Sequence, residues 1–339
     1  MKWIQSIFIT GIIIALVSTS CSYSMEISAK IYVAGHRGLV GSALIRKLEN
    51  VGYTNILTRN HHDLDLTNQA AVNTFFETEK PDYVFLSAAH VGGIYANNTY
   101  PADFMYDNLM ITTNIIHAAY KNNVKKLLCL GSSCIYPRDC PQPIKEEYLL
   151  TSPLEKTNEA YALAKIMGLK ACEYYNKQYG THFISCMPTN LYGINDNFHL
   201  ANSHVIPALI AKFCKAQAEG LGEVVCWGTG TVRREFLFVE DLADAALFLM
   251  NNYQEYGDNG WINVGTGEDV TIQELVNTIK ELVGFKGKVI FDTTKPDGTP
   301  RKLLDVSKIN KLGWKAKTSL KEGLKTTIAW YKNQSNITA

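Results

Sequence analysis

From residue 30 onward, short β-branched apolar runs alternate with stretches whose apolar residues recur every three or four positions. Ile31-Tyr32-Val33 precedes a helical pattern over 40–50, Tyr83-Val84-Phe85-Leu86 precedes one over 108–121, and the run 127–130 precedes one over 159–175. The first strand is predicted over 30–35 and the second over 55–58. The strand runs are continuously apolar, as expected when helices cover both faces of a parallel sheet. This rhythm predicts an α/β fold, a doubly wound parallel sheet of Rossmann type. After Asn190 the rhythm loosens: Gly, Asn and His cluster in 193–204, and Gly228, Gly230, Gly265, Gly267, Pro296 and Pro300 punctuate the rest. We therefore expect a dinucleotide-binding domain over 25–190 and, mainly over 191–330, a smaller C-terminal α/β substrate domain with some segments returning to the first core. Ligand belongs in the cleft at the carboxyl edge of the sheet.

Residues 1–24 break the pattern, with Lys2 as the only charge and an apolar run over 7–17 that ends in Ser18-Thr19-Ser20-Cys21. That is the shape of a secretory signal peptide, and its apolar part is about half of the ~20 residues a membrane span needs. The rival reading is an upstream start, since Met25 stands just before the first strand. Asn336-Ile337-Thr338 is a glycosylation sequon that matters only to a secreted chain. Composition narrows the function. With 339 residues, 46% apolar and 19% charged, the chain can bury one large core or two linked ones. Lys+Arg 33 against Asp+Glu 32 offers no electrostatic case for nucleic acid or for membrane contact by the body. The eight cysteines contain no C-x-x-C pair, which favours free thiols and no metal site.

Gly35-His36-Arg37-Gly38-Leu39-Val40-Gly41 joins the first strand to the first helix. Backbone N–H groups and a helix dipole there suit a pyrophosphate, although the spacing is G-x-x-G-x-x-G and the better-known fingerprint is G-x-G-x-x-G. The second strand ends in Arg59-Asn60-His61-His62, with no acid where an NAD site usually holds the ribose hydroxyl. Arg37, with Arg59 or His61, suits a 2′-phosphate, which favours NADP(H). Asp63 and Asp65 follow slightly later, as a helix cap or an adenine contact.

Tyr161 and Lys165 stand four residues apart, on one face of a helix. A neighbouring cation favours phenolate, so Lys165 is expected to lower the pKa of Tyr161 and make it a usable acid and base. Y-x-x-x-K alone is a common surface pair. Here Gly131-Ser132-Ser133-Cys134 follows a strand directly, at the edge where chemistry belongs. Ser132, Tyr161 and Lys165 compose a hydride-transfer site in which Ser132 holds a carbonyl and Tyr161 protonates it.

With these residues the chain resembles the extended short-chain dehydrogenase/reductase family, from about residue 30 to beyond 325, and most closely its 3,5-epimerase-4-reductases. The stretches that carry the resemblance are AGHRGLVGSA, AAHVGGIYANNTYPADF, LGSSCIYP, MPTNLYG, DNFH, NSHVIPALI, REFLFVEDLA, NVGTGEDVTI and KPDGTPRKLLD. The resemblance implies a Rossmann domain with a small substrate domain and the NADPH-dependent conversion of GDP-4-dehydro-6-deoxy-D-mannose to GDP-L-fucose. It makes Cys134 the base and His204 the acid of epimerisation beside a C4 carbonyl. It places Leu130, Gly131, Ser132, Ser133, Pro188, Thr189, Asn190, Leu191 and His204 on the cofactor's nicotinamide side, with Lys165 on its ribose. Lys212, Trp227, Arg234 and Asp297 then hold the GDP-sugar. Family members often have arginine at Lys212 and at His61, and they lack the leader, so the implied location is cytoplasmic. A homodimer through the helices over 108–121 and 159–175 is also implied. The rivals are a nucleotide-sugar 4-epimerase, which needs no Cys134/His204 pair, and a silent dinucleotide-binding module, which needs no Ser132, Tyr161 and Lys165.

Overall fold

The structure, a computed structural model, describes residues 24–199, 203–253, 260–295 and 297–334. The leader, Ser24 apart, and the sequon lie outside the described residues. Elements follow in the order β1 (Ile31–Ala34), α1 (Leu39–Asn50), β2 (Ile56–Leu57), α2 (Gln69–Glu79), β3 (Tyr83–Leu86), α3 (Ile94–Thr99), α4 (Pro101–Lys121), β4 (Lys126–Leu130), α5 (Glu159–Tyr179) and β5 (Phe183–Pro188). Then come β6 (Asn190–Tyr192), α6 (Val205–Ala218), β7 (Glu223–Trp227), β8 (Arg233–Phe238), α7 (Val239–Asn252), β9 (Trp261–Val264), β10 (Asp269–Thr271), α8 (Ile272–Val283), β11 (Lys288–Asp292), β12 (Arg301–Lys302), α9 (Ser307–Lys311) and α10 (Leu320–Gln334).

Six strands form one parallel sheet in the order β2-β1-β3-β4-β5-β9. Every residue of β1, β3, β4, β5 and β9 is buried, which is why β1 and β3 read as unbroken apolar runs, while Lys126, Ser185 and Asn263 are buried polar residues of β4, β5 and β9. The chain reverses its winding direction between β1 and β3, and the crevice beyond their carboxyl ends is where such sheets bind ligands. Two cores flank the sheet. One includes Leu44 and Leu48 of α1 with Leu242 and Leu249 of α7; the other includes Phe76 of α2 with Ile115 and Ile116 of α4.

A third core, separate from these, joins α6, α8 and α10 to β7 and β8 through Phe213, Leu275, Ile279 and Leu324. There β8 pairs with β6, β10 and β12, and β7 pairs with β11. Helix α4 starts at Pro101, seven residues before the predicted 108, because proline at the first helical position needs no N–H partner. Helix α5 runs on to Tyr179 and stops at Gly180, whose φ of +67° suits a residue without Cβ. The two helices pack closely at Gly168, where a Cβ would stand 2.8 Å from Thr112 Cγ2.

Candidate active site

The loop after β1 is built on absent Cβ atoms. At Gly35, with φ of +84°, a Cβ would lie 2.7 Å from the Ala88 backbone, and at Gly41 it would lie 2.1 Å from the Gly35 carbonyl oxygen. Both would force the turn open. Gly38 has space around it; it precedes α1 without a side-chain cap, leaving the helix N-terminus uncovered. Uncovered N–H groups at the carboxyl edge fit a dinucleotide pyrophosphate. Arg37 is exposed beside them, as is His61 beyond β2. Arg59 is already engaged: its guanidinium meets Glu79 Oε1 at 2.5 Å and lies 5.3 Å from the Phe75 ring centre. Of the two arginines expected near a 2′-phosphate, Arg37 is therefore the one without a carboxylate neighbour among the described ion pairs. Asp65 accepts bonds from the Thr67 backbone and hydroxyl, and Asn68, three residues after it, caps α2.

At the end of β4, Ser132 opens the short turn Ser133–Ile135 and its Oγ accepts from the Cys134 N–H at 3.2 Å. Helix α5 brings Tyr161 and Lys165 to the same place. Lys165 is 8% exposed and donates to the Leu130 carbonyl at 2.9 Å, with Nζ 5.7 Å from the Tyr161 ring centre. Burial lowers the pKa of Lys165. Burial raises that of Tyr161, Cys134 adds to the rise, and a hydrogen bond from Ser132 only partly offsets it. The expected depression of Tyr161 by Lys165 is thus not realised in the protein alone. The ammonium is spent on a backbone carbonyl, and desolvation of the phenolate dominates. Tyr161 is a phenol with a proton to give. Phe104 meets its ring edge-on at 6.4 Å and is itself stacked on His90 at 4.3 Å.

Cys134 is half-buried, and Lys302 Nζ stands 3.4 Å from its Sγ. Burial pushes the thiol up, but Lys302, a hydrogen bond from Ser132 and the charge of Lys165 together hold it below the usual thiol range. His204 precedes α6 without capping it and remains exposed. Its pKa is lowered by the surrounding protein and by Lys302. One cation therefore biases both partners of the expected acid–base pair.

Lys302 arrives through strand pairing. In β12 it aligns with Arg234 of β8, and Arg234 Nη2 donates to the Asp297 carbonyl at 3.3 Å. Asp297 accepts from the Thr229 N–H and hydroxyl at 2.8 and 2.9 Å. Lys212 lies 5.6 Å from the ring centre of Trp227, and Lys295 lies at the same distance. Trp227 is 62% exposed, so a flat aromatic face with cations near it is open to a ligand. The four expected substrate residues thus gather on the C-terminal layer, and Lys302 joins them to Cys134.

Comparison with known proteins identifies the family. The model of the NAD dependent epimerase/dehydratase family matches residues 31–265. The chain belongs to that family. It is 58% identical over 321 residues to GDP-L-fucose synthase 1 of Arabidopsis thaliana, covering 94% of this chain and 98% of that one. It is 54% identical over 315 residues to GDP-L-fucose synthase of Escherichia coli (strain K12), covering 91% and 98%. Among solved structures, the GDP-mannoheptose C4 reductase MlghC of Campylobacter jejuni, with NADP bound, is similar at a TM-score of 0.84 and 43% identity, covering 91% of this chain and all of that one.

Two residues of this epimerase/dehydratase chain escaped the sequence reading. Lys302 was inside the stretch KPDGTPRKLLD without a role, because nothing local tells which lysine in that stretch will meet a thiol 168 residues away. Glu235 was inside REFLFVEDLA. It is fully buried, and its carboxylate accepts from the Thr266, Gly267 and Leu304 N–H groups at 2.7, 2.8 and 2.9 Å. Its own carbonyl accepts from Thr189 Oγ1 and Asn190 Nδ2. Glu235 thereby ties the segment containing Pro188, Thr189, Asn190 and Leu191 to the strand that carries Lys302. A signal was available: an acid that leads directly into the apolar run Phe236-Leu237-Phe238-Val239 must find buried donors.

Proposed function

We propose that this chain converts GDP-4-dehydro-6-deoxy-D-mannose to GDP-L-fucose, by epimerisation at C3 and C5 and NADPH-dependent reduction at C4. One observation carries the reading: the Cys134 thiol, with Lys302 at 3.4 Å, stands two residues from Ser132 at the edge where Tyr161 also sits. Carbonyl reduction alone does not require a lowered thiol beside it, whereas proton abstraction next to the carbonyl requires a base, a role that a thiol held low can fill.

In this reading Lys212, Arg234 and Trp227 hold the GDP, with Asp297 keeping the Trp227–Thr229 turn in place. Gly35, His36, Arg37, Gly38, Leu39, Val40 and Gly41 hold the cofactor at its pyrophosphate end, His61 stands beside its phosphate, and Leu130, Gly131, Ser133, Pro188, Thr189, Asn190 and Leu191 shape its reactive end. Ser132 directs its hydroxyl to the C4 oxygen, which makes the C3 and C5 protons acidic. Cys134 removes a proton from one face as thiolate, and His204 returns one to the opposite face. NADPH, when bound, supplies the hydride for C4. Tyr161 gives its phenolic proton to the C4 oxygen, and the resulting phenolate is stabilised by Lys165. Tyr106, Leu163 and Tyr174, exposed on α4 and α5 at 60%, 42% and 57%, support a homodimer through those helices. The GDP-sugar and NADPH are expected in the cytosol, so we place the protein in the cytoplasm; no helix among the described residues is long and apolar enough to cross a membrane.

The test is to mix residues 25–339 with NADPH and GDP-4-dehydro-6-deoxy-D-mannose, follow the reduced-nicotinamide absorbance and identify the sugar by NMR. Oxidation with formation of GDP-L-fucose is expected. Reduction at C4 without inversion at C3 and C5 would refute the epimerase half.

A further inference from the structure

The loop after β3 is held at both its backbone and its one imidazole. The Ser87 N–H donates to the Ala34 carbonyl at 3.1 Å, which ties the loop to the end of β1, and the Ala88 backbone fills the space a Cβ on Gly35 would take. Two residues on, His90 is gripped by Phe104, Asp107 and Asn108, which share one face of α4. Buried Asn108 accepts from the His90 N–H at 3.0 Å and donates to its carbonyl at 2.9 Å. Asp107 Oδ2 meets the ring at Nδ1, 2.8 Å away, and Phe104 stacks on the ring at 4.3 Å. A carboxylate can only accept, so the proton sits on Nδ1, and in the neutral ring Nε2 is left with a lone pair to offer. Nε2 has no hydrogen-bond partner among the described residues, and the side chain is 41% exposed.

The place of this nitrogen follows from the sheet order. β3 lies between β1, which ends in the dinucleotide loop, and β4, which ends at Ser132. A dinucleotide that sets its pyrophosphate on the first loop and brings its nicotinamide to Tyr161 must cross the carboxyl end of β3. Ala88 backs Gly35 of the pyrophosphate loop, and Phe104 links the His90 ring to that of Tyr161, which it meets edge-on at 6.4 Å. His90 therefore stands past the pyrophosphate and short of the nicotinamide, and the group of the cofactor between those two is a ribose. We infer that His90 is a cofactor-binding residue whose Nε2 accepts a hydrogen bond from a hydroxyl of the nicotinamide-side ribose. Phe104, Asp107 and Asn108 are its positioning residues. The inference rests on NADP(H) as the cofactor and not on the identity of the sugar, so its failure would leave the proposed epimerisation and reduction standing.

The test compares NADPH with 2′,5′-ADP, which carries the adenosine half and its 2′-phosphate but no nicotinamide-side ribose, by titration calorimetry. His90→Phe keeps a ring to stack on Phe104 and removes the acceptor; His90→Gln keeps an acceptor of similar reach. His90→Phe is expected to weaken NADPH binding about fivefold to tenfold, the scale of one hydrogen bond, with 2′,5′-ADP binding unchanged. His90→Gln is expected to hold both ligands as the wild type does. Unchanged NADPH affinity in His90→Phe overturns the contact. Equal weakening of both ligands overturns it too, since the effect would then lie on the adenosine half or on the fold of the loop, as does a His90→Gln variant no better than His90→Phe. A second measurement uses the unaltered protein, labelled with ¹⁵N-histidine. The His90 Nε2 resonance is expected to shift on addition of NADP⁺ and not of 2′,5′-ADP; no shift, or the same shift with both, overturns the assignment.

Discussion

Removing the Lys302 cation isolates its effect on the thiol most directly. Lys302→Met keeps much of the side chain's length and discards the charge. With Nζ 3.4 Å from Sγ, the attraction between ammonium and thiolate is about 1 kcal/mol if water screened it fully and about 5 kcal/mol at an effective dielectric near 20. A cation favours the thiolate, so its loss must raise the Cys134 pKa, and at fixed pH the thiolate fraction falls. Even the fully screened value corresponds to a loss of about fivefold or more. The assay is the rate of Cys134 alkylation by iodoacetamide between pH 6 and 10, with the modified peptide identified by mass spectrometry. The variant should react at least about fivefold more slowly at pH 7 and approach the wild-type rate at high pH, where both thiols are ionised. The same cation lowers His204, so protonation of that imidazole should extend to higher pH in the variant. C3/C5 exchange needs thiolate and imidazolium together, so both limbs of its pH profile should move to the alkaline side. An alkylation profile that stays in place, or moves to lower pH, would refute the assignment of Lys302 as the group that holds the thiol down.

Tyr161→Phe should lower C4 reduction by about 10²–10⁴-fold while leaving deuterium exchange at C3 and C5 in place, because Cys134 and His204 are untouched; NMR of the sugar separates the two. Gly41→Ala drives a Cβ to 2.1 Å from the Gly35 carbonyl oxygen. It should cost about 1–3 kcal/mol of stability and weaken NADPH binding, read by urea denaturation and by nucleotide fluorescence. Trp227→Ala removes an exposed aromatic face and should raise KM for the GDP-sugar about tenfold, from stacking worth about 1–3 kcal/mol, with an unchanged melting temperature.

Much of this protein is written locally. Continuous apolar runs separated by helical periods dictate a parallel sheet covered on both faces, because only such strands bury every side chain. The glycines of the first turn, Tyr161 and Lys165 on one helical face, and Ser132 and Cys134 just past a strand are all fixed by spacings of a few residues, which backbone geometry converts into position. The helix limits at Pro101 and Gly180 were missed, at 108 and 175, because apolar periodicity locates the face that a helix buries and fades in its solvent-facing end turns.

What the tertiary structure decided lies in pairs far apart in the chain. Lys302 reaches Cys134 only because β12 aligns with β8, and sequence periodicity sets which face a strand buries but not which strand lies beside it. Glu235 is held by N–H groups from two distant segments, Arg59 is engaged by Glu79, and Lys165 donates to a carbonyl on β4 and so leaves Tyr161 a protonated phenol. Charge and desolvation act through space on whatever the fold brings near, so the sequence alone determined the scaffold and the kinds of chemistry it carries, while strand pairing decided which groups tune them.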